Sequence, residues 1–128
     1  MPRPATLINC PQMPHEDNVR RPWLFVEWRI VWNLILALRA AGFTPCRVED
    51  GDDEDVIINP ADGALASVAA MEAATAVDEA TIHFRRPSGG TGWIFVVFGN
   101  EVDVLSNWST GCADFAATVS AFEPEHYL

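Results

Sequence analysis

Trp93-Ile94-Phe95-Val96-Val97-Phe98 is a run of six apolar residues, all aromatic or β-branched, bounded by Gly92 and Gly99. Such residues favour strands, and a glycine at each end holds the run to strand length. Alternation sends Trp93, Phe95 and Val97 to one face and Ile94, Val96 and Phe98 to the other. Both faces are apolar. The run therefore reads as the central strand of a sheet covered on both sides.

Its neighbours in the chain are strands too. Thr81-Ile82-His83-Phe84-Arg85 alternates, with Ile82 and Phe84 inward, and Pro87-Ser88-Gly89-Gly90-Thr91-Gly92 is the hairpin loop that follows. Gly99-Asn100 turns the chain again into Val102-Asp103-Val104-Leu105. Three antiparallel strands in succession make a meander. Ser109 or Thr110 then caps a last helix over about 112–122, with Ala116, Val119 and Phe122 toward the sheet and Pro124 as its end.

Before the meander the pattern is mostly helical. Pro22 suits a first helical turn, and the helix runs to Ala41 with Gly42 as its C′ residue. Its length raises a membrane span, but Glu27, Arg29, Asn33 and Arg39 interrupt it, and charge at a bilayer centre is costly. Arg29, Asn33, Ala37 and Ala40 share one stripe, which predicts a deeply buried helix with a single wet face. Trp23, Trp28 and Trp32 read as core or interface anchors. Phe43-Thr44-Pro45-Cys46-Arg47-Val48 reads as a strand pushed to the sheet edge by Pro45, and Val56-Ile57-Ile58 extends a hairpin with it. Asn59 and Pro60 start an alanine-rich helix over 60–77, with Leu65, Val68 and Met71 as its apolar stripe. Residues 1–21 carry four prolines and read as an extended arm, with Thr6-Leu7-Ile8-Asn9 as a short edge strand. The expectation is one α+β domain over 1–128. It has a three- to five-stranded, mainly antiparallel sheet with 93–98 as central strand. Three helices, about 22–41, 60–77 and 112–122, pack with it.

Charge is distributed unevenly. The net charge is −10. Between Arg47 and Arg85 stand ten carboxylates and no arginine or lysine: Glu49, Asp50, Asp52, Asp53, Glu54, Asp55, Asp62, Glu72, Asp78 and Glu79. The other eight acids balance the eight arginines, and there is no lysine. All of the net charge thus belongs to one internal segment, a pattern that suits a basic partner. The adjacent bases Arg20-Arg21 and Arg85-Arg86 are too small a footprint for direct nucleic-acid binding.

Chemical motifs are weak. The acidic run fits no EF-hand register: counted from Asp50, position six is Asp55 and not glycine. Ser88-Gly89-Gly90-Thr91-Gly92 has no lysine and precedes a strand, so it is not a phosphate loop. Cys10, Cys46 and Cys112 lack zinc-ligand spacing and read as free thiols in a reducing compartment. Cys112 at a helix start, with His83 or His126 as base, is the one nucleophile arrangement to weigh against a plain core cysteine. No cofactor or metal is expected. Met1-Pro2-Arg3-Pro4 has no apolar run after it, so no signal peptide is expected.

Val77-Asp78-Glu79-Ala80, His83-Phe84-Arg85, Gly92-Trp93, Phe98-Gly99-Asn100 and Val104-Leu105-Ser106-Asn107-Trp108 together resemble small bacteriophage and prophage proteins with a GW…GN…S-D-Y/W-(S/T) meander. Asn107 departs from the aspartate of that pattern. The resemblance is confined to the C-terminal part and implies a phage-type origin, in the cytoplasm of a bacterial host, with no assigned chemistry.

Two functions of different class follow. The first is an acidic interaction module, of the kind seen in DNA mimics and inhibitors of CRISPR effectors. It would bind a basic host protein through Glu49, Asp50, Asp52, Asp53, Glu54, Asp55, Asp78 and Glu79. The alternative is a small thiol enzyme using Cys112 with a histidine. A homodimer is expected as well, because three tryptophans on one helix exceed what a few helices can cover.

Overall fold

The computed structural model describes residues 24–50, 55–99 and 101–127. The extended arm with its Thr6–Asn9 strand, Cys10, Pro22, Trp23 and the acids Asp52, Asp53 and Glu54 lie outside the described residues.

In chain order the elements are helix α1 (Leu24–Ala40), strands β1 (Thr44–Glu49) and β2 (Val56–Ile57), helix α2 (Ala64–Thr75), strands β3 (Glu79–Arg85), β4 (Thr91–Val97) and β5 (Leu105–Trp108), and helix α3 (Ala113–Ala121). The sheet order is β2-β1-β3-β4-β5, and every neighbouring pair is antiparallel. Among the described residues this is an α+β fold with a five-stranded sheet and three helices. The strand read around 93–98 is β4, an interior strand between β3 and β5, with β3 in the middle of the five.

The three described helices all pack against the same face. Ala80, Ile82 and Phe84 of β3 and Ile94 and Val96 of β4 are buried beneath them. Phe115 of α3 sits over this face, its ring 5.6 Å from that of Phe84 and edge-on to Phe43 at 5.2 Å. Gly92 makes that approach possible: a methyl there would stand 2.3 Å from Phe115 Cγ. On the other face, Thr81, His83, Trp93, Phe95 and Val97 are only half-buried. Cover on both sides of β4, expected from its apolar alternation, is therefore corrected. Flat, bulky side chains at adjacent positions bury part of one another, and none of the described helices lies on this face.

Helix α1 is interior on nearly every side. Trp28, Ile30, Val31, Trp32, Leu34, Ile35 and Leu38 are all buried. It ends as expected: Gly42 takes φ +97°, its N–H donates to Arg39, and the Phe43 N–H donates to Leu38. The wet stripe is corrected. The turn Pro124–Tyr127 lies over it, the Arg29 guanidinium donates to the Tyr127 carbonyl, and Asn33 is 6 % exposed, donating to the Arg29 carbonyl at 2.7 Å. Trp28 and Trp32, at 2 and 3 % exposure, are covered by their own chain. Those two therefore give no support to a homodimer.

Other boundaries differ for local reasons. Asn59 does cap, accepting from the Ala61 N–H, but it caps a 3-10 turn, Pro60–Asp62; Gly63 at φ +61° separates that turn from α2. The buried face of α2 is Ala66, Ser67, Ala70, Met71 and Ala74, while Leu65 is 70 % exposed. Ala66, Ala70 and Ala74, four apart, let the helix lie close on β1 and β3, with Met71 buried among them and Val68 half-buried against the core as expected. Pro45 does not make an edge: β1 is paired on both sides, and the register shift between Pro45 and Arg47 accommodates the missing N–H. Glu101–Val104 is a 3-10 turn that buries Val104, and the last strand begins at Leu105. Helix α3 has Cys112 as N-cap with no side-chain cap; the Ser109 hydroxyl instead accepts from the Trp93 N–H at 3.0 Å. Phe115, not Ala116, is its main buried contact.

Candidate interaction surface

Strand pairing decides where the charges lie. Glu49 pairs with Thr81 and Val48 with Val56, while Glu79 pairs with Val97. The β1–β2 loop and the start of β3 therefore share one end of the sheet. Glu49, Asp50, Asp55, Asp78 and Glu79 all stand there. Thr44 pairs with Arg85 at the opposite end, next to Arg86. The sheet is thus acidic at one end and basic at the other.

The acidic end is partly neutralised. Arg47 Nη1 donates to Asp55 Oδ2 at 3.2 Å, and His83 Nε2 lies 2.7 Å from Glu49 Oε1. The hydrogen bond from His83 is the main reason that the Glu49 carboxyl falls below its ordinary value of 4.5. Partial desolvation opposes this, and the charges of His83 and Arg47 add to it. Glu49 thus remains ionised at neutral pH. Glu79 and Asp78 are exposed, and the Asp78 carbonyl accepts the Phe98 N–H at 2.9 Å, tying this end to the exit of β4.

On the half-open face these groups border an aromatic depression of about 290 Å³, lined by Glu49, Thr81, His83, Trp93, Phe95 and Asn107. Glu49, Thr81, Phe95 and Asn107 are successive cross-strand partners over β1, β3, β4 and β5, and Trp93 pairs with His83 in the adjoining row. The sequence reading missed Trp93, Phe95 and Asn107 as surface residues. The signal was there in His83 and Thr81, the polar residues at alternate positions of β3, which mark the face that meets water.

Of the thiol candidates, the fold brings Cys112 and His83 to one groove and sets His126 apart. Cys112 and His83 both border an open groove of about 1010 Å³ at the basic end, which Cys46 and Arg85 also line. His83 spends Nε2 on Glu49, and the Cys112 sulfur lies beside Gly90. His126 is elsewhere, 2.7 Å from Glu123 in the C-terminal turn. Burial pushes the Cys46 thiol up, against the charges of Arg85 and Arg47. Among the described residues no group of three or more His, Cys, Asp or Glu is placed to hold a metal, and no helix is long and apolar enough to cross a membrane.

Fold and surface together define a small α+β protein whose sheet has one covered face and one half-open face with an acidic border. No family model, curated protein or solved structure matches the chain.

Proposed function

We propose that this protein is a non-enzymatic interaction module that binds a basic protein through the acidic end of its sheet. One observation supports this above the others. Carboxylates from two separate segments, Asp50 and Asp55 around the β1–β2 loop and Asp78 and Glu79 at the start of β3, come to the same end as Glu49, while Arg85 and Arg86 stand at the other. Asp52, Asp53 and Glu54 belong by sequence to the same loop. Mutual repulsion among these carboxylates, which the Arg47 and His83 contacts offset only in part, disfavours folding, whereas approach to a basic groove gains rate and selectivity. The field reaches about 8–10 Å at physiological salt. The partner of matching chemistry is a nucleic-acid-binding protein of a bacterial host. With the phage-type meander, the role is that of an inhibitor or DNA mimic, anti-CRISPR-like in logic.

The test is capture of a basic nucleic-acid-binding protein from host extract over a salt series. Retention should fall steeply with salt and be lost when Asp50, Asp55, Asp78 and Glu79 are changed to Asn or Gln. Retention of the same protein by that variant would reject the reading.

A thiol enzyme using Cys112 with His83 keeps one observation in its favour, the groove that both border. Rapid alkylation of Cys112 near neutral pH, abolished by His83→Gln, would move the balance to it.

A further inference from the structure

The half-open sheet face carries a feature that charge alone does not explain. Trp93 and Phe95 stand on the same face of β4, two residues apart, so about 7 Å separates them along the strand. Thr81 lies between Phe95 and Glu49 in the cross-strand row and is the small residue on the floor of the depression. Asn107 is its far wall. Glu49 uses Oε1 toward His83, and Oε2 makes no hydrogen bond among the described residues. An ionised carboxylate thus faces the Phe95 ring across Thr81, and Trp93 stands in the adjoining row beside His83, which also lines the depression and contacts both Glu49 and Arg47.

We infer that this depression receives an arginine side chain of the basic partner, its guanidinium against Trp93 and Phe95 and its N–H groups toward Glu49. This deepens the acidic-module reading and rests on it for the partner's sign of charge. An aromatic ring attracts a cation through its quadrupole, Trp most strongly. A flat, weakly hydrated guanidinium can stack on a ring while donating sideways to a carboxylate, which a compact, strongly hydrated ammonium cannot. The acidic end draws the partner in; the depression selects which cation it accepts.

The experiment uses the full chain and three short peptides: a Gly-Arg repeat, a Gly-Lys repeat and a Gly-citrulline repeat of equal length. Binding is measured by calorimetry at low and physiological salt. The Arg peptide should bind about three- to tenfold more tightly than the Lys peptide, and the citrulline peptide should not bind. Trp93→Leu keeps apolar bulk and removes the strongest ring; it should erase the Arg preference, weakening Arg binding several-fold more than Lys binding. Glu49→Gln still accepts from His83 and should weaken Arg binding in the same range. Equal Arg and Lys affinity in the wild type, or an Arg preference unchanged in both variants, overturns the inference. If neutralising Asp50, Asp55, Asp78 and Glu79 leaves both charged peptides bound as before, the acidic-module reading fails, while the Arg preference and its loss in Trp93→Leu still decide the depression.

Discussion

His83 on β3 and Glu49 on β1 meet diagonally across the strand pair, Nε2 to Oε1 at 2.7 Å. The contact joins the polar row of the half-open face to the acidic end. It also fixes a pH dependence. A carboxyl whose pKa is lower folded than unfolded contributes stability above its unfolded value, and that contribution is lost as the pH falls through the folded value. For Glu49 the ordinary value is 4.5 and the folded one lies below it. The wild type should therefore exceed Glu49→Gln in denaturation midpoint above pH 4.5, with the gap closing as the pH falls further. A gap that stays constant on acidification would show that the pair does not titrate as described.

Gly92→Ala should destabilise the fold, because its methyl would land 2.3–2.5 Å from three atoms of the buried Phe115 ring. Overpacking of this kind costs about 1–3 kcal/mol. Gly111→Ala meets nothing within 4 Å and should be nearly neutral. Urea unfolding of the two variants side by side checks the pair.

Glu27 is fully buried at the start of α1, and both of its carboxylate oxygens accept the Gly99 N–H, at 3.0 and 2.8 Å. This holds the exit of β4 against the helix. Glu27→Ala leaves that N–H without its acceptor and should cost about 1–3 kcal/mol or more. Glu27→Gln keeps an acceptor oxygen and should cost less. Amide exchange at Gly99 should quicken in the alanine variant.

Cys46 should alkylate slowly at neutral pH. Desolvation holds its thiol above the ordinary value of 9.0, although Arg85 and Arg47 pull the other way. The rate with iodoacetamide should climb only in strongly alkaline buffer, and fast reaction at neutral pH would contradict the burial argument.

The meander was legible because its signals are local: alternation at Ile82 and Phe84, glycines at 89, 90, 92 and 99, and the apolar run between. The Gly42 terminus of α1 and the Asn59 cap were legible for the same reason. What escaped the reading depends on partners distant in sequence. Nothing near Trp93 or Phe95 says that none of the described helices covers them. The burial of Glu27 is decided by Gly99, and that of Asn33 by its bond within α1 and the C-terminal turn over that face. The choice of Ala66, Ala70 and Ala74 over Leu65 is a matter of how near α2 must come to the sheet. The candidate surface was half legible. The acids were visible as a run, but their meeting with Asp78 and Glu79, and the aromatic depression beside them, follow from strand order.

The central claim is that the acidic end is a binding surface and not only a solubilising one. Its most direct measurement is the affinity for the captured basic partner over a salt series, for the wild type and for Asp52→Asn/Asp53→Asn/Glu54→Gln/Asp55→Asn, with circular dichroism to confirm that the variant is folded. The account predicts a steep fall of wild-type affinity with salt and, in the variant, weaker binding with a shallower salt dependence. Equal affinity and equal salt dependence in a folded variant would contradict it.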